Sequence, residues 1–397
     1  MQKKRGQDET PSEDLQAEFT RLSELLETPA YPGNRVDMLV NGDRIFPAML
    51  QAIDAAEREI CFETFIYWSG SIAHRFAWAL SQAAKRGVRV HVLLDWWGAM
   101  KMDEELIVQM RDGGVRVRYF NPLRWWQLRR LNYRTHRKIM VVDREVAFTG
   151  GVGIADVWQG DAASPDQWHD LHYRITGPVV RCFQDAFVEL WSEVLKEPRL
   201  DAADDRPAAL EGRETVTAQV MMSSPRQGSE RAYQAYRYAI ETSQQSVRLM
   251  TAYFVPDQDT IAAMIAASQR GVRFDVMVPG EHIDSTVVRY ASRSSWGELL
   301  NAGINIHVYD PTMLHAKVMI VDDNWLLIGS ANFDNRSFSL NDEIIMTVFS
   351  RRFAAEHREL FERDSKRCHR LTYREWKRRG IVCRCQEGIS NLVRPHL

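Results

Sequence analysis

The chain has 397 residues, a length that predicts two or three domains of ordinary size. Hydrophobic residues make up 45% of it, enough for sizeable cores, and a net charge of −2 argues against a protein that coats nucleic acid. The five cysteines are scattered and suggest no disulfide framework, which favours a reducing cytoplasm.

The chain begins with residues 1–31, which are predicted to form a polar tail with one weak helix. This segment resembles neither a signal peptide nor a membrane span, and no apolar run approaches the roughly 20 residues that a spanning helix needs. Strand-like and helical segments then alternate, which predicts an α/β fold. The first of them are RVDMLV, IFPAMLQAIDAAE, EICFETFIYW, AHRFAWALSQAAKRG and VRVHVLLD.

A second series of the same kind follows an acidic stretch that contains proline and alanine and is predicted to be a linker. Three pairs of matching segments stand 184–189 residues apart, and a pair of H-x-K motifs stands 179 apart. Separations this nearly constant indicate an internal duplication rather than two independent α/β units. The predicted boundaries are 32–196 for the first domain, 197–215 for the linker, 216–365 for the second domain and 366–397 for a basic and aromatic C-terminal tail.

The repeated motif carries the chemistry. The stretch THRKIMVVD holds His136, Lys138 and Asp143, and MLHAKVMIVDD repeats the spacing with His315, Lys317 and Asp322. Residues two apart on an extended strand share one face, so each histidine is expected beside its lysine. One such motif is a weak signal, but two copies inside a duplication are a strong one.

A turn rich in small residues follows each histidine by 14 residues. Glycines there let backbone N–H groups approach an anion, and a lysine beside such amides makes half of a phosphate pocket. Two halves would surround a phosphodiester. The predicted phosphate-binding residues are Gly150, Gly151, Gly329, Ser330 and Asn332.

This symmetry suits in-line displacement at phosphorus. One imidazole would attack while the other, on the opposite side, would protonate the leaving alcohol. Two lysines can neutralise the phosphate oxygens, so no metal is required. Each nucleophilic imidazole also needs an acceptor for its other nitrogen, and one candidate carboxylate follows each motif, Asp170 and Glu343.

Other histidines and cysteines offer weaker signals. His169 and His172 form an H-x-x-H pattern without a third candidate ligand, and Cys383 and Cys385 lack zinc spacing. We therefore expect neither a metal nor any other cofactor.

The paired H-x-K-x-x-x-x-D motifs with their G-G and G-S turns resemble those of the phospholipase D superfamily, over roughly residues 33–365. The chain is most similar to bacterial cardiolipin synthases of the short type without N-terminal spans. The resemblance implies two duplicated αβα sandwich domains related by pseudo-twofold symmetry. It rests on AYFVPD, HRKIMVVD, WHDLHYRITGPVV, HAKVMIVDD and GSANFDNRSFSLNDE.

The resemblance also implies a reaction and a set of roles. Phosphatidylglycerol would give its phosphatidyl group to an enzyme histidine, and a second lipid, phosphatidylglycerol or phosphatidylethanolamine, would accept it. His136 would be the nucleophile and His315 the acid and base. The remaining roles are phosphate binding for Lys138 and Lys317, structural support for Asp143 and Asp322, and orientation of the histidines for Asp170 and Glu343. One departure stands out: Gly153 occupies the position that matches Asn332.

A lipid substrate requires membrane contact, and LRWWQLRRLNYR is the best candidate for it. Tryptophan beside arginine suits an interfacial helix on anionic lipid, although a solvated basic helix or a loop packed on the core fits equally well. The expected partner is an anionic membrane of phosphatidylglycerol and cardiolipin, at the cytoplasmic face of the bacterial inner membrane. The residues proposed for this contact are Trp125, Trp126, Arg129 and Arg130, flanked by Arg134.

Two alternatives stay open. The first is another enzyme of the superfamily, either a lipid hydrolase that uses water as acceptor or a nuclease. The near-neutral net charge and the segment LRWWQLRRLNYR, rich in tryptophan and arginine, argue against a nucleic-acid partner. The second is a non-catalytic membrane-binding module, against which both intact motifs speak.

Overall fold

The computed structural model describes residues 13–123, 132–196, 207–212, 214–224 and 228–391. Strands and helices alternate through both halves, as the periodicity predicts. The elements up to residue 195 are α1 (Glu13–Leu26), β1 (Tyr31–Val40), α2 (Gly42–Asp54), β2 (Glu59–Thr64), α3 (Ser71–Lys85), β3 (Arg89–Asp95), α4 (Glu104–Asp112), β4 (Arg116–Phe120), β5 (Ile139–Val142), β6 (Val146–Gly150), a 3-10 turn (Asp156–Trp158), β7 (Leu171–Thr176) and α5 (Val180–Leu195).

The second series runs from residue 216 to residue 391. Its elements are β8 (Val216–Ser223), α6 (Arg231–Thr242), β9 (Ser246–Met250), β10 (Phe254–Val255), α7 (Gln258–Gln269), β11 (Arg273–Pro279), α8 (Thr286–Asn301), β12 (Asn305–Tyr309), β13 (Val318–Val321), β14 (Trp325–Gly329), β15 (Phe333–Asp334), α9 (Asn335–Ser339), β16 (Glu343–Phe349), α10 (Arg351–Ser365), β17 (Cys368–Leu371), α11 (Tyr373–Lys377) and α12 (Ile381–Asn391).

Fifteen strands form one continuous sheet. Its order is β4–β3–β2–β5–β6–β7–β1 and then β8–β16–β14–β13–β9–β11–β12–β17. Apart from β17, the second half repeats the strand order of the first outward from the central antiparallel pair β1–β8. The predicted duplication and α/β fold are confirmed, with the two halves joined edge to edge in a single sheet.

Helices cover both faces of this sheet. On one face α5 and α10 contribute aromatic side chains such as Phe187 and Phe353 to a core that crosses the boundary between the halves. On the other face α2 and α3 cover the first half, and α6 and α7 cover the second. Strands covered on both faces bury every side chain, which explains the uninterrupted apolar runs of β5 and β13.

The described parts of both terminal segments, residues 13–31 and 366–391, pack against the second half. Leu22 and Leu26 of α1 are buried among residues of the second half, and Phe19 packs against the Phe349 ring at 5.4 Å. At the other end β17 extends the sheet beside β12, and α11 and α12 pack on α8. Helix α1 is the helix that the sequence predicted in the polar N-terminal segment, and its apolar residues join the core of the second half. No helix in the described ranges is long and apolar enough to cross a bilayer.

Candidate active site

The two H-x-K motifs meet at the centre of the molecule. Each stands at the entrance of an inner strand, His136 and Lys138 just before β5, and His315 and Lys317 just before β13. All four side chains are buried. Lys138 Nζ donates to the His136 carbonyl at 2.8 Å, and Lys317 Nζ lies 3.1 Å from the nitrogens of the His315 ring.

Each histidine is oriented by a carboxylate from the other half. His136 Nδ1 lies 2.8 Å from Glu343 Oε1, and His315 Nδ1 lies 2.7 Å from Asp170 Oδ2. The backbone repeats this crossing: the His136 N–H donates to the Asp342 carbonyl at 2.9 Å. Holding Nδ1 directs Nε2 of each ring away from its carboxylate, and Nε2 of His315 lies 3.1 Å from Lys317 Nζ. Neither half therefore contains a complete histidine–carboxylate pair by itself.

Burial sets the protonation states of the site. It lowers the pKa of His136 to about 4, so this imidazole is neutral near pH 7. The pKa of His315 is lowered by burial and by the neighbouring Lys317 charge. Burial opposes ionisation of Glu343, yet His136 and Lys138 keep the pKa of this carboxyl below its usual value. The site thus pairs a neutral imidazole with an ionised carboxylate, which suits a nucleophile.

The two lysines are also strongly affected by burial. It lowers the pKa of Lys138 to about 7 and that of Lys317 to about 8. Nearby carboxylates oppose this effect, Glu343 at Lys138 and Asp170 at Lys317. An anionic phosphate between the two amines would favour their charged forms in the same way.

The glycine turns bring backbone close to the carboxylates. Gly150 and Gly329 have φ near +150°, and a Cβ on either would lie within 2.5 Å of a carbonyl oxygen of the neighbouring strand. A Cβ on Gly151 would lie 2.2 Å from Asp170 Oδ1. Ser330 Oγ donates to Glu343 Oε2. These small residues are required for the carboxylates to reach the histidines.

The amides of the turns are engaged within the sheet. The Gly151 N–H donates to the Leu171 carbonyl at 3.0 Å, and the Ser330 N–H donates to the Ile344 carbonyl at 2.9 Å. Direct binding of phosphate by these amides stays a prediction, and their observed role is to build the turn.

The difference between Asn332 and Gly153 has a steric cause. Asn332 is buried, and its Oδ1 has no hydrogen-bond partner among the described residues. A Cβ on Gly153 would lie 2.8 Å from Ile66 Cβ and 3.0 Å from the Ile66 carbonyl oxygen. The first half therefore has no room for the asparagine that the second half carries.

The motif aspartates fasten strands together. Asp143 accepts three backbone N–H groups, from Glu57 at 2.8 Å, Arg58 at 2.7 Å and Glu59 at 2.8 Å. Asp322 accepts the equivalent three from residues 244–246. Both aspartates have φ near +50°, in the left-handed region. Their carboxylates hold the starts of β2 and β9 against the ends of β5 and β13.

A buried polar network lies beneath His136. Thr135 Oγ1 donates to Glu63 Oε1, and the Thr135 N–H donates to Asp95 Oδ2 at 3.1 Å. Arg134 Nε lies 3.4 Å from the same Asp95 oxygen. The segment that carries the first histidine is thus held by charged and polar side chains.

Among its described residues, the second half shows no equivalent network. Met250 takes the place of Glu63, because the two face the first residues of β13 and β5 in the same register. Leu314 stands where the first half has Thr135, and Met313 stands where it has Arg134. The duplicated site is therefore symmetric at the histidines and asymmetric beneath them.

Several aromatic residues that sequence reasoning missed surround the histidines. Trp158 Nε1 donates to Asp170 Oδ2 at 2.9 Å, and the rings of Trp158 and Trp168 lie 5.4 and 5.3 Å from His315. Phe65 packs against His136 at 5.2 Å. The two tryptophans flank the polar stretch QGDAASPDQ, which the second half lacks between its motif and Glu343, and this extra stretch was the available signal.

A tyrosine–aspartate pair also lies close to the second histidine. The Tyr253 hydroxyl donates to Asp284 at 2.7 Å, and the Asp284 charge acts on both His315 and Lys317. Tyr253 belongs to the AYFVPD stretch, whereas no sequence pattern pointed to Asp284.

The predicted membrane contacts Trp125, Trp126, Arg129 and Arg130 lie outside the described residues. Arg134, expected to flank that surface, is instead buried in the network beneath His136 because its guanidinium pairs with Asp95. Both ring nitrogens of His169, in the H-x-x-H pattern, have hydrogen-bond partners. Nδ1 lies 2.8 Å from Asn41 Oδ1, and Nε2 lies 2.8 Å from Asp364 Oδ2.

Comparison with known proteins gives consistent matches. The family model described as cardiolipin synthase, PLD-like domain, matches residues 49–156 and 236–365. Cardiolipin synthase 1 of Bacillus cereus is 32% identical over 377 residues, which cover 93% of this chain and 74% of the relative. Cardiolipin synthase A of Pseudomonas putida strain GB-1 is 34% identical over 368 residues, with 89% and 76% covered.

Among solved structures, the phosphatidylserine synthase of Haemophilus influenzae Rd KW20 superimposes with a TM-score of 0.74. The match covers 97% of this chain and 100% of that one at 13% identity, so it concerns the fold alone.

Proposed function

The chain belongs to the family of cardiolipin synthases with phospholipase D-like domains, and on that premise we propose that it transfers a phosphatidyl group between two phospholipids to make cardiolipin. The observation that supports this most directly is the crossed pairing of His136 with Glu343 and of His315 with Asp170 in one buried site. Two imidazoles, each fixed at Nδ1, are what a two-step displacement at phosphorus needs.

In the first step His136 Nε2 attacks the phosphorus of phosphatidylglycerol. A nitrogen–phosphorus bond forms, the bond from phosphorus to the glycerol headgroup breaks, and His315 gives the leaving oxygen its proton. The pKa of His315 is low in the free site, so the bound phosphate must favour its charged form first. Lys138 and Lys317 would stabilise the charge on the phosphate oxygens.

In the second step the headgroup hydroxyl of another phosphatidylglycerol attacks the phosphohistidine. His315 takes up the proton of that hydroxyl, the nitrogen–phosphorus bond breaks, and cardiolipin leaves. Phosphatidylethanolamine carries an amine and no headgroup hydroxyl, so we revise its expected role from acceptor to donor, with release of ethanolamine.

The acceptor distinguishes this function from a hydrolase. Exclusion of water from the phosphohistidine favours transfer to a lipid. The aromatic rings of Trp158, Trp168 and Phe65 against the two histidines support such an apolar surrounding. Because the substrate lies in a bilayer, the enzyme must attach to that bilayer. We propose that this attachment is peripheral and at the cytoplasmic face of the inner membrane.

The test is mass spectrometry of products from purified protein on phosphatidylglycerol vesicles, with and without phosphatidylethanolamine. With phosphatidylglycerol alone we expect one glycerol released per cardiolipin, and where phosphatidylethanolamine is the donor we expect one ethanolamine instead. His315→Gln serves as the inactive control. Phosphatidic acid without cardiolipin would show that water is the acceptor, and absence of turnover on both lipids would refute the proposal.

A further inference from the structure

The C-terminal unit, residues 366–391, has an unusual charge for this chain. It carries eight lysines and arginines against two acidic residues, within a protein whose net charge is −2. The unit is firmly attached: Trp376 Nε1 donates to the Arg293 carbonyl at 2.9 Å, and its ring fills the space that a Cβ on Gly297 would occupy. The basic charge is thus fixed on the folded body.

Helix α12 presents an apolar stripe beside this charge. Ile381 and Ile389 are 78% and 69% exposed, the highest values for large hydrophobic residues in the described part of the chain. Exposed Cys385 lies between them, so the three side chains share one helical face at intervals of four. Glu387 and Ser390 lie on the opposite face of the helix and are buried.

The unit lies on the catalytic side of the second half. The junction of α11 and α12 borders a cavity of about 370 Å³ together with Pro279 and Gly280, at the carboxyl end of β11. Helix α8, on which α12 packs, begins at Thr286, two residues after Asp284. Asp284 accepts the Tyr253 hydroxyl at 2.7 Å, and Tyr253 follows the end of β9, which pairs with β13 at Val318, the residue after Lys317, so this end of α8 lies on the side of the sheet that carries the active site.

We propose that the C-terminal unit is a docking surface for an anionic bilayer, with Ile381 and Ile389 entering the interface and the surrounding arginines binding lipid phosphates. Charge complementarity selects this occupant, since basic residues around an exposed apolar stripe are typical of interfacial helices on anionic lipid. The inference rests on the proposed function to the extent that the substrate is an anionic lipid. It adds a second contact to the one that the sequence predicts in LRWWQLRRLNYR.

The test compares wild type with Ile381→Ser/Ile389→Ser and with Arg378→Gln/Arg384→Gln in sedimentation with vesicles of phosphatidylglycerol or phosphatidylcholine. We expect each double variant to bind phosphatidylglycerol vesicles at least tenfold more weakly. Salt should weaken wild-type binding, and phosphatidylcholine should bind little. The control Leu25→Ser/Val108→Ser, which removes exposed apolar side chains elsewhere, should bind as wild type does.

Turnover of a short-chain, monomeric phosphatidylglycerol separates docking from catalysis. We expect both double variants to keep wild-type turnover there. Loss of that turnover, or undiminished vesicle binding, would overturn the docking surface. If wild type turns over no lipid but the binding pattern holds, the proposed function fails and the docking surface stands.

A polarity-sensitive dye on Cys385 gives a second measurement that needs no disruptive variant. Its emission should shift to the blue with phosphatidylglycerol vesicles and stay constant with phosphatidylcholine. A constant spectrum with both would contradict docking through α12.

Discussion

Glu343 follows His136 by 207 residues in the chain, yet its Oε1 lies 2.8 Å from the Nδ1 of that histidine. Asp170 serves His315 in the same manner from the first half. The duplication thus exchanges its orienting carboxylates between the copies, so both halves must be folded and joined before either histidine is held for catalysis.

The crossing predicts which variant affects which histidine. Glu343→Gln should lower kcat by about 10²–10⁴-fold, because an amide no longer fixes one tautomer of His136. The Nδ1 proton resonance of His136 should shift in Glu343→Gln and stay in place in Asp170→Asn, whereas His315 should show the reverse. Exposed Glu145 gives a control, Glu145→Gln. Full turnover in Glu343→Gln would contradict the crossed arrangement. So would a shift of the His315 resonance in Glu343→Gln, or of the His136 resonance in Asp170→Asn.

The lysines predict an unusual alkaline limb in the pH profile. Burial lowers the pKa of Lys138 to about 7 and of Lys317 to about 8, so their positive charge is present below these values and lost as pH rises through them. We therefore expect kcat/KM on monomeric substrate to fall between about pH 7 and 8. The limb in kcat should lie higher, because bound phosphate favours the charged amines.

On the acid side, His136 should stay neutral down to about pH 4, so no loss of kcat/KM near pH 6.5 is expected from it.

The variant Lys138→Arg carries a side chain that stays charged at all these pH values, and it should move the alkaline limb to higher pH. A profile that stays flat to pH 10 would show that neither amine is affected by burial as described.

The motif aspartates predict a loss of stability rather than of chemistry. Asp143→Ala removes an acceptor from three backbone N–H groups, at a cost of about 2 kcal/mol in the free energy of unfolding. Thermal unfolding should show a lower midpoint, and Asp322→Ala should behave alike. Asp103→Ala is a suitable control, since that side chain caps no helix N–H. An unchanged midpoint with lost turnover would instead place Asp143 in the reaction.

The asymmetric network makes Glu63 a positioning residue for His136. Glu63→Met introduces the residue of the second half and leaves the Thr135 hydroxyl without its acceptor. We expect kcat to fall at least tenfold with little change in KM. Glu63→Gln keeps an acceptor for the hydroxyl and should recover most of the loss, since burial already raises the pKa of Glu63 to about 7. Equal kcat in wild type and Glu63→Met would refute this role.

Much of the fold could be predicted from local patterns. The apolar runs of β5 and β13 read as buried strands because both faces of each are covered by helices. The packing of α1 and of the C-terminal helices α11 and α12 could not be read in this way. Helix α1 is polar by composition, and only its contacts with the second half show that Leu22 and Leu26 are core residues.

The sequence by itself determined the duplication, the two H-x-K motifs, the candidate carboxylates and the family, because each is a pattern of residue types at short or regular spacing. Only the tertiary structure decided that Glu343 serves His136 and Asp170 serves His315, and that a buried polar network lies beneath His136. These features depend on which strands become neighbours in the sheet. That choice is made by packing between segments as far apart as the 207 residues that separate His136 from Glu343, which leaves no local periodicity in the chain.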